Sequence, residues 1–498
     1  MSLKSQAAKI LANRVVKRMK KWASNPIETQ QKVFEKLVSE GAKTAFGKDH
    51  GFENISTYEE FRQQVPIRDY EGLKSYVDRV VAGEENVLWP GKPLYFAKTS
   101  GTTSGAKYIP LTKASMPFHM QAARNAILCY IQETGKSSFI NGKMIFLQGS
   151  PEMTRKNGIG VGRLSGIVAH YVPSYLQKNR LPSWETNCID DWETKVNAIV
   201  DETKAEDMTV ISGIPSWVQM YFESLKLATG ESVGDLFKNF ELFIYGGVNY
   251  EPYRSKFETL IGRKVDSIEL YPASEGFFAF QDIQSKKGML LLLNSGIFYE
   301  FIPAANFYDE NPQRIQLKDV EIGVNYVMII SSNAGLWGYN VGDTVAFTEI
   351  SPYRLIVTGR IKHFISAFGE HVIGKEVERA IKEAMEQFGF SISEFTVAPQ
   401  TAPQNEELPY HEWLIEFEVE PKNLNDIRTR IDASMQRQNS YYFDLIDGKI
   451  LQPLKITSLK KGSFNKHMKS KGKLGGQNKV PRLANDRLIA ESLHALQR

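Results

Sequence analysis

Thr99-Ser100-Gly101-Thr102-Thr103-Ser104-Gly105-Ala106-Lys107 follows the strand-like Leu94-Tyr95-Phe96-Ala97. The stretch offers hydroxyls, glycines and a lysine, with no acid among them. Glycine lets backbone N–H groups approach a ligand closely, the hydroxyls donate, and the ammonium neutralises charge. Those are the groups a polyphosphate needs, and they make the chain a candidate ATP user. The spacing is not that of a Walker loop: counting from Gly101 puts Ala106 at the second glycine position, and Tyr108 follows Lys107. A Ser/Thr/Gly-rich linker is the competing reading of the same residues.

Working outward, the residues before this loop read as helices over 30–46, 57–64 and 70–82. After it, apolar runs at 143–147, 208–212, 242–245 and 265–270 alternate with amphipathic stretches such as 217–227 and 252–261. That alternation predicts α/β layering with largely parallel strands. From 290 to 357 the pattern turns mostly to strands. Beyond a break near Gly359-Arg360-Ile361-Lys362 comes a compact α+β pattern, with a helix over 375–387, a strand over 413–419 and a helix over 424–436. The expected fold class is therefore α/β, with a large N-terminal domain over 1–361 and a small C-terminal domain over 362–498.

Composition narrows the function classes. The 498 residues are 42% hydrophobic and 24% charged, with a net charge of +4. That is the profile of an ordinary globular protein and calls for no polyanionic partner. The only cysteines, Cys129 and Cys188, give neither a disulfide framework nor a metal cluster and suit a reducing, cytoplasmic setting. No apolar run approaches membrane-spanning length. Lys4, Lys9, Arg14, Lys17, Arg18, Lys20 and Lys21 precede the first acid, Glu28, with Ile10, Leu11, Val15, Met19 and Trp22 at helical spacing. This reads as a basic amphipathic helix packed on its own domain rather than a leader or membrane anchor. A further basic run over 449–482 raises nucleic-acid binding, which its few aromatics do not support.

Further glycine-containing turns follow strands. Gly246-Gly247 ends the apolar run at 242–245, where an open α/β sheet meets its ligand; taken alone, the pair reads first as a tight strand-to-helix turn. In Glu269-Leu270-Tyr271-Pro272-Ala273-Ser274-Glu275-Gly276, Tyr271 can stack on a base and Glu275 can hold Mg²⁺ on phosphate oxygens. In Tyr339-Asn340-Val341-Gly342-Asp343-Thr344-Val345, Asp343 can accept from both hydroxyls of a ribose, or simply cap a turn. Gly475-Gly476-Gln477-Asn478-Lys479-Val480-Pro481-Arg482 reads as a shaped loop that delivers one cation.

Taken in order, these segments resemble the adenylate-forming superfamily. More closely, the chain is similar to a bacterial-type branch of the auxin-responsive Gretchen Hagen family of acyl-acid amido synthetases. The resemblance spans essentially the whole chain and includes Thr44 to Gly51 and Val65-Pro66-Ile67-Arg68-Asp69-Tyr70. It implies an adenylate-forming N-terminal domain with a β-barrel-like portion and a mobile C-terminal lid. ATP, Mg²⁺, a carboxylic acid and an amino acid are the expected reactants and cofactors, with no nucleic acid or membrane partner. By the same resemblance Ser100, Gly101, Thr102, Thr103 and Lys107 cradle phosphates, and Gly246, Gly247 and Tyr271 border the adenine. Glu275 binds the metal, Asp343 the ribose with Arg360 beside it, and Lys479 reaches the reacting phosphate and carboxylate. Where the family often has Tyr-Arg-x-Gly-Asp, this chain has Asn340 in place of the Arg. The acid pocket is expected between the helices after Lys113 and the strand ending near Tyr271, with Arg124, Arg163 and Tyr171 as candidate liners. A coenzyme A ligase and a non-catalytic nucleotide-binding protein are the alternatives.

Overall fold

A computed structural model describes the chain apart from residues 1, 100–106, 173–176, 248–249, 362–363, 366–369, 371, 402, 404–406, 448–449, 473, 475–478, 485 and 498. It divides into two compact units: Met1–Val248 with Leu260–Ile356, and Asn249–Thr259 with Val357–Arg498.

The first unit is organised by one twelve-stranded sheet. One wing is parallel. Arg180–Leu181, Lys143–Phe146, Met208–Ser212, Leu242–Gly246 and Asp266–Ala273 lie side by side in that order. The last four are the alternating apolar runs of the sequence, and Met208–Ser212 and Leu242–Gly246 in the middle are buried as central parallel strands are. The other wing is antiparallel and begins where Asp266–Ala273 turns back into Gly276–Phe280. It continues through Met289–Leu291 and Tyr353–Arg360 to Tyr339–Ile350, Asn325–Ser332 and Ile297–Pro303. A separate four-stranded sheet contains Tyr95–Thr99 paired antiparallel with Lys107–Leu111 and parallel with Ile159–Gly162. The hydroxyl-rich loop thus joins the arms of a hairpin, whereas a Walker loop joins a strand to a helix.

The basic helix Leu3–Ala23 packs on its own unit. Ala12, Val15 and Met19 share a core with Ala126 and Cys129 of the helix Met116–Thr134 and with Val210, Ile244 and Ile268 of the sheet. No helix among the described residues is long and apolar enough to cross a membrane.

The helix expected over 30–46 is broken into Pro26–Gly41 and Ala45–Asp49. Thr44 makes the break: its hydroxyl donates to the Gly41 carbonyl (2.7 Å) and accepts from the Gly47 N–H (3.0 Å), restarting the helix. A Cβ at Gly47 would lie 2.1 Å from the Gly41 oxygen, so the corner admits only glycine.

In the second unit, Ser391–Gln400 and Tyr410–Val419 pair antiparallel, and Lys455–Leu459 joins in parallel. Helices Gly374–Phe388 and Leu424–Gln438 bury Val377, Ile381, Ile427 and Ile431 against Phe395, Trp413 and Ile415 of this sheet. Ala490 and Leu493 of the last helix pack with Leu414 and Leu459. The segment Asn249–Thr259, which carries most of the helix Glu251–Ile261, clusters with this unit, and Lys382 pairs with Glu251 (2.8 Å) and Lys256 with Glu418 (2.7 Å).

Candidate active site

In the first unit, Gly246 ends one parallel strand opposite Leu270 of the next. A Cβ at Gly246 would lie 2.6 Å from the Leu270 carbonyl oxygen, and Gly247 has φ +85°. The pair therefore serves the sheet itself, and it brings backbone to the carboxyl ends of the parallel strands, where α/β sheets bind ligands. Tyr271 lies one residue beyond Leu270. Glu275 follows at the hairpin tip between the paired Ala273 and Gly276, and is half-buried.

The structure joins two of the expected residues directly: the Tyr271 hydroxyl donates to Asp343 Oδ2 at 2.7 Å. Both are buried, and the Tyr271 ring packs edge-on against Phe278 with centroids 5.0 Å apart. Asp343 projects from a bulge, because the pairing of Tyr339–Ile350 with Asn325–Ser332 slips between Val327 and Ile329. Gly342 makes that bulge with φ +88°, and its N–H donates to Asn340 Oδ1 at 2.8 Å. Asn340 thus has a task an arginine cannot perform: its short amide caps the bulge that presents the carboxylate.

Arg68 and Tyr70 connect the elements of the site, a function the sequence reading did not give them. Arg68 N–H donates to the Gly338 carbonyl (3.0 Å), and Asn340 N–H donates to the Arg68 carbonyl (2.8 Å), adding one rung beside the Asp343 strand. Two residues on, the Tyr70 hydroxyl accepts from the Tyr108 N–H (2.9 Å), and Lys107 Nζ lies 5.5 Å from the Tyr70 ring centroid. One short segment therefore braces both the base of the hydroxyl loop and the Asp343 bulge. Arg68 is itself fixed: it lies over Phe46 (5.5 Å), and its Nη2 donates to His50 Nε2 (3.0 Å). His50 accepts there because its Nδ1 donates to the Phe46 carbonyl (2.7 Å), and burial pushes its pKa down. Ser100, Gly101, Thr102 and Thr103 lie outside the described residues.

The strand order of the parallel wing reverses at Lys143–Phe146, and at such a reversal open α/β sheets bind ligands at the carboxyl ends of the strands. Here Gln148 is buried and its Nε2 has no partner among the described residues. Arg163 lies over Gly149, where an added Cβ would come 2.8 Å from Arg163 Cδ. Lys195, also buried, donates to the carbonyls of Gln148 (3.1 Å) and Asn187 (2.5 Å). Burial pushes its pKa down to about 8. Of the other expected liners, Arg124 lies on the exposed side of its helix against Asn125 (3.2 Å), and the Tyr171 hydroxyl donates to that of Tyr95 (3.2 Å).

In the second unit, Arg360 is exposed at the end of Tyr353–Arg360. Lys479 is exposed just ahead of a segment in which Val480 packs on the Leu414–Ala490 core and Val397 N–H donates to the Arg482 carbonyl (2.9 Å).

Among the described residues no group of three or more His, Cys, Asp or Glu can hold a metal. Glu275, half-buried at its hairpin tip, offers a single carboxylate.

The descriptions GH3 family N-terminal domain, GH3 family central domain and GH3 family C-terminal domain fit residues 15–197, 290–360 and 375–488. Indole-3-acetic acid-amido synthetase GH3.3 of Arabidopsis thaliana is 22% identical over 553 residues, covering 93% of this chain and 90% of that protein. Jasmonoyl–L-amino acid synthetase JAR4 of Nicotiana attenuata is 21% identical over 385 residues, covering 64% and 66%. The fold is that of GH3.15 acyl acid amido synthetase, with a TM-score of 0.78 at 16% identity over 96% of this chain and 95% of that one. It is also similar to 2-hydroxyisobutyryl-CoA ligase in its postadenylation state, with a TM-score of 0.60 at 13% identity over 95% and 92%. The chain belongs to the GH3 family.

Proposed function

We propose that this protein is an ATP-dependent acyl-acid amido synthetase of the cytoplasm. A carboxylate oxygen attacks the α-phosphorus of ATP, the bond to the leaving pyrophosphate breaks, and an acyl-adenylate forms. The amine of an amino acid then attacks the activated carbonyl, the bond to AMP breaks, and an amide results. The single observation that carries the nucleotide half is the buried Tyr271–Asp343 hydrogen bond, set beside the Gly246 strand end.

No enzyme nucleophile is needed, and catalysis is alignment and charge neutralisation. Asp343, oriented by Tyr271, accepts from the ribose hydroxyls. Backbone at Gly246-Gly247 borders the base, with Tyr271 behind it. Lys107 and the hydroxyls before it receive the departing pyrophosphate. Lys479 balances charge where carboxylate and α-phosphate meet, and Arg360 supports the nucleotide. Glu275 would hold a magnesium ion on the phosphates, which when bound neutralises charge there. Arg163 and Gln148, beyond the carboxyl end of Lys143–Phe146 where the strand order reverses, receive the acid.

The acid is a small aryl, indole or aliphatic carboxylate, as the named relatives use indole-3-acetic or jasmonic acid. A thiol acceptor such as coenzyme A is the competing second step, and product analysis separates the two. Purified protein given ATP, a panel of such acids and a mixture of amino acids yields acyl–amino acid amides by mass spectrometry. Thioester formed with coenzyme A, and no amide, overturns the proposal.

A further inference from the structure

Lys479 emerges from a segment that is fastened to the small unit at several points, and the strongest fastening is ionic. Residues 481–484 run beside Ser391–Gln400, joined to it by a single parallel bridge between Leu483 and Val397. Val397 N–H donates to the Arg482 carbonyl (2.9 Å), Ala484 N–H to the Val397 carbonyl (3.0 Å), and Thr396 Oγ1 to the Pro481 carbonyl (2.7 Å). These bonds fix the backbone two or more residues after Lys479. The Arg482 side chain does more.

Its guanidinium is largely buried and pairs with Glu394, while its Nε stands 3.5 Å from Glu378 Oε1. Nη1 also donates to the Phe395 carbonyl (3.1 Å) and Nη2 to the Tyr253 hydroxyl (3.2 Å). That hydroxyl in turn lies 3.3 Å from Glu394 Oε2. The guanidinium plane rests over the Phe395 ring, 4.6 Å from its centroid. Burial works against the charge, but Glu394, Tyr253 and Glu378 outweigh it and hold the pKa above the ordinary value. The side chain is held by several partners at once, which suits arginine's rigid, planar fork.

We propose that Arg482 is a positioning residue for Lys479: its anchorage to Glu394, Glu378 and Tyr253 fixes where the lysine leaves the small unit. The inference rests on the role proposed above for Lys479. Arg482 never touches substrate. It limits the positions open to a side chain that must meet a developing charge within a fraction of an ångström.

The test separates position from stability. Removing Arg482 alone leaves two carboxylates buried and unpaired, which can unfold the unit. The variant R482M/E378Q/E394Q removes the whole ionic cluster, so folding is retained and the anchor is lost. Acid-dependent ATP–pyrophosphate exchange then falls in kcat by roughly 10- to 100-fold, as expected for a misplaced catalytic group, with little change in KM for ATP. Aminolysis of added acyl-adenylate is unchanged. Exchange at the parental kcat overturns the proposal. If the triple variant does not fold, R482K decides: it keeps the charge but not the fork, so reduced kcat at unchanged KM supports the anchor and parental kcat refutes it. Lys479→Ala at parental exchange refutes the role of Lys479 itself. Loss of exchange in Lys479→Ala beside parental rates in the Arg482 variants refutes only this inference.

Discussion

Asp343 and Lys479 are each a single charged side chain with a proposed place beside the substrates, yet their supports differ in kind. Asp343 is held by short-range groups: the Gly342 bulge, the Asn340 cap, one hydroxyl from Tyr271 and the Arg68 rung. Lys479 is followed by an arginine locked between two carboxylates. A ribose-binding carboxylate needs one fixed direction, which backbone geometry and a charge-assisted hydrogen bond supply at little desolvation cost. A cation required near developing charge needs its origin fixed while its long side chain stays exposed, and a buried ion cluster further along the chain does that.

Substitutions that break this comparison should differ in size and in the step affected. The largest effect is expected from Lys479→Ala, which should lower adenylation by roughly 100- to 1,000-fold while leaving ATP binding, followed by calorimetry, nearly intact. Arg482→Met alone should destabilise the small unit by about 3–5 kcal/mol, seen by chemical denaturation, because it strands buried charge. On the nucleotide side, Tyr271→Phe removes a hydrogen bond to a charged group. A cost of about 1.5–3 kcal/mol is expected in kcat/KM for ATP, with the KM for the acid unmoved. Asn340→Ala should cost about 1 kcal/mol in the same parameter by loosening the bulge.

The smallest effect concerns the scaffold. His119 is buried and burial pushes its pKa down to about 4, from an ordinary value of 6.5. The unfolded chain therefore binds a proton that the folded one refuses between those two values. The contribution is intact above pH 6.5 and is lost as pH falls toward 4, with about 1.4 kcal/mol gone by pH 5.5. His119→Gln should flatten that limb of the Tm–pH profile, and equal slopes for both proteins would contradict it.

The longer parallel strands and helices such as Tyr58–Gln64 and Tyr70–Val81 were legible because each carries its own periodicity and caps, whereas Met116–Thr134 and Trp192–Thr203 were not assigned. Met208–Ser212 and Leu242–Gly246 are apolar runs bounded by turn residues, and Tyr58–Gln64 opens on a Thr57–Glu60 capping box. The break at Gly41 was not legible, since it depends on a carbonyl pressed against Gly47. Nor was the brace by Arg68 and Tyr70, whose partners Gly338 and Tyr108 lie far along the chain. Local pattern read the Asp343 turn as a candidate carboxylate. Only the fold shows that Tyr271 meets it and that Asn340 caps the bulge.

Acid-dependent exchange of labelled pyrophosphate into ATP, measured across aryl, indole and aliphatic carboxylic acids, tests the central claim most directly. The account predicts exchange that requires both the acid and magnesium, proceeds without amine, and collapses in Lys479→Ala. ATP–pyrophosphate exchange with none of these acids, by protein that still binds ATP, would contradict it.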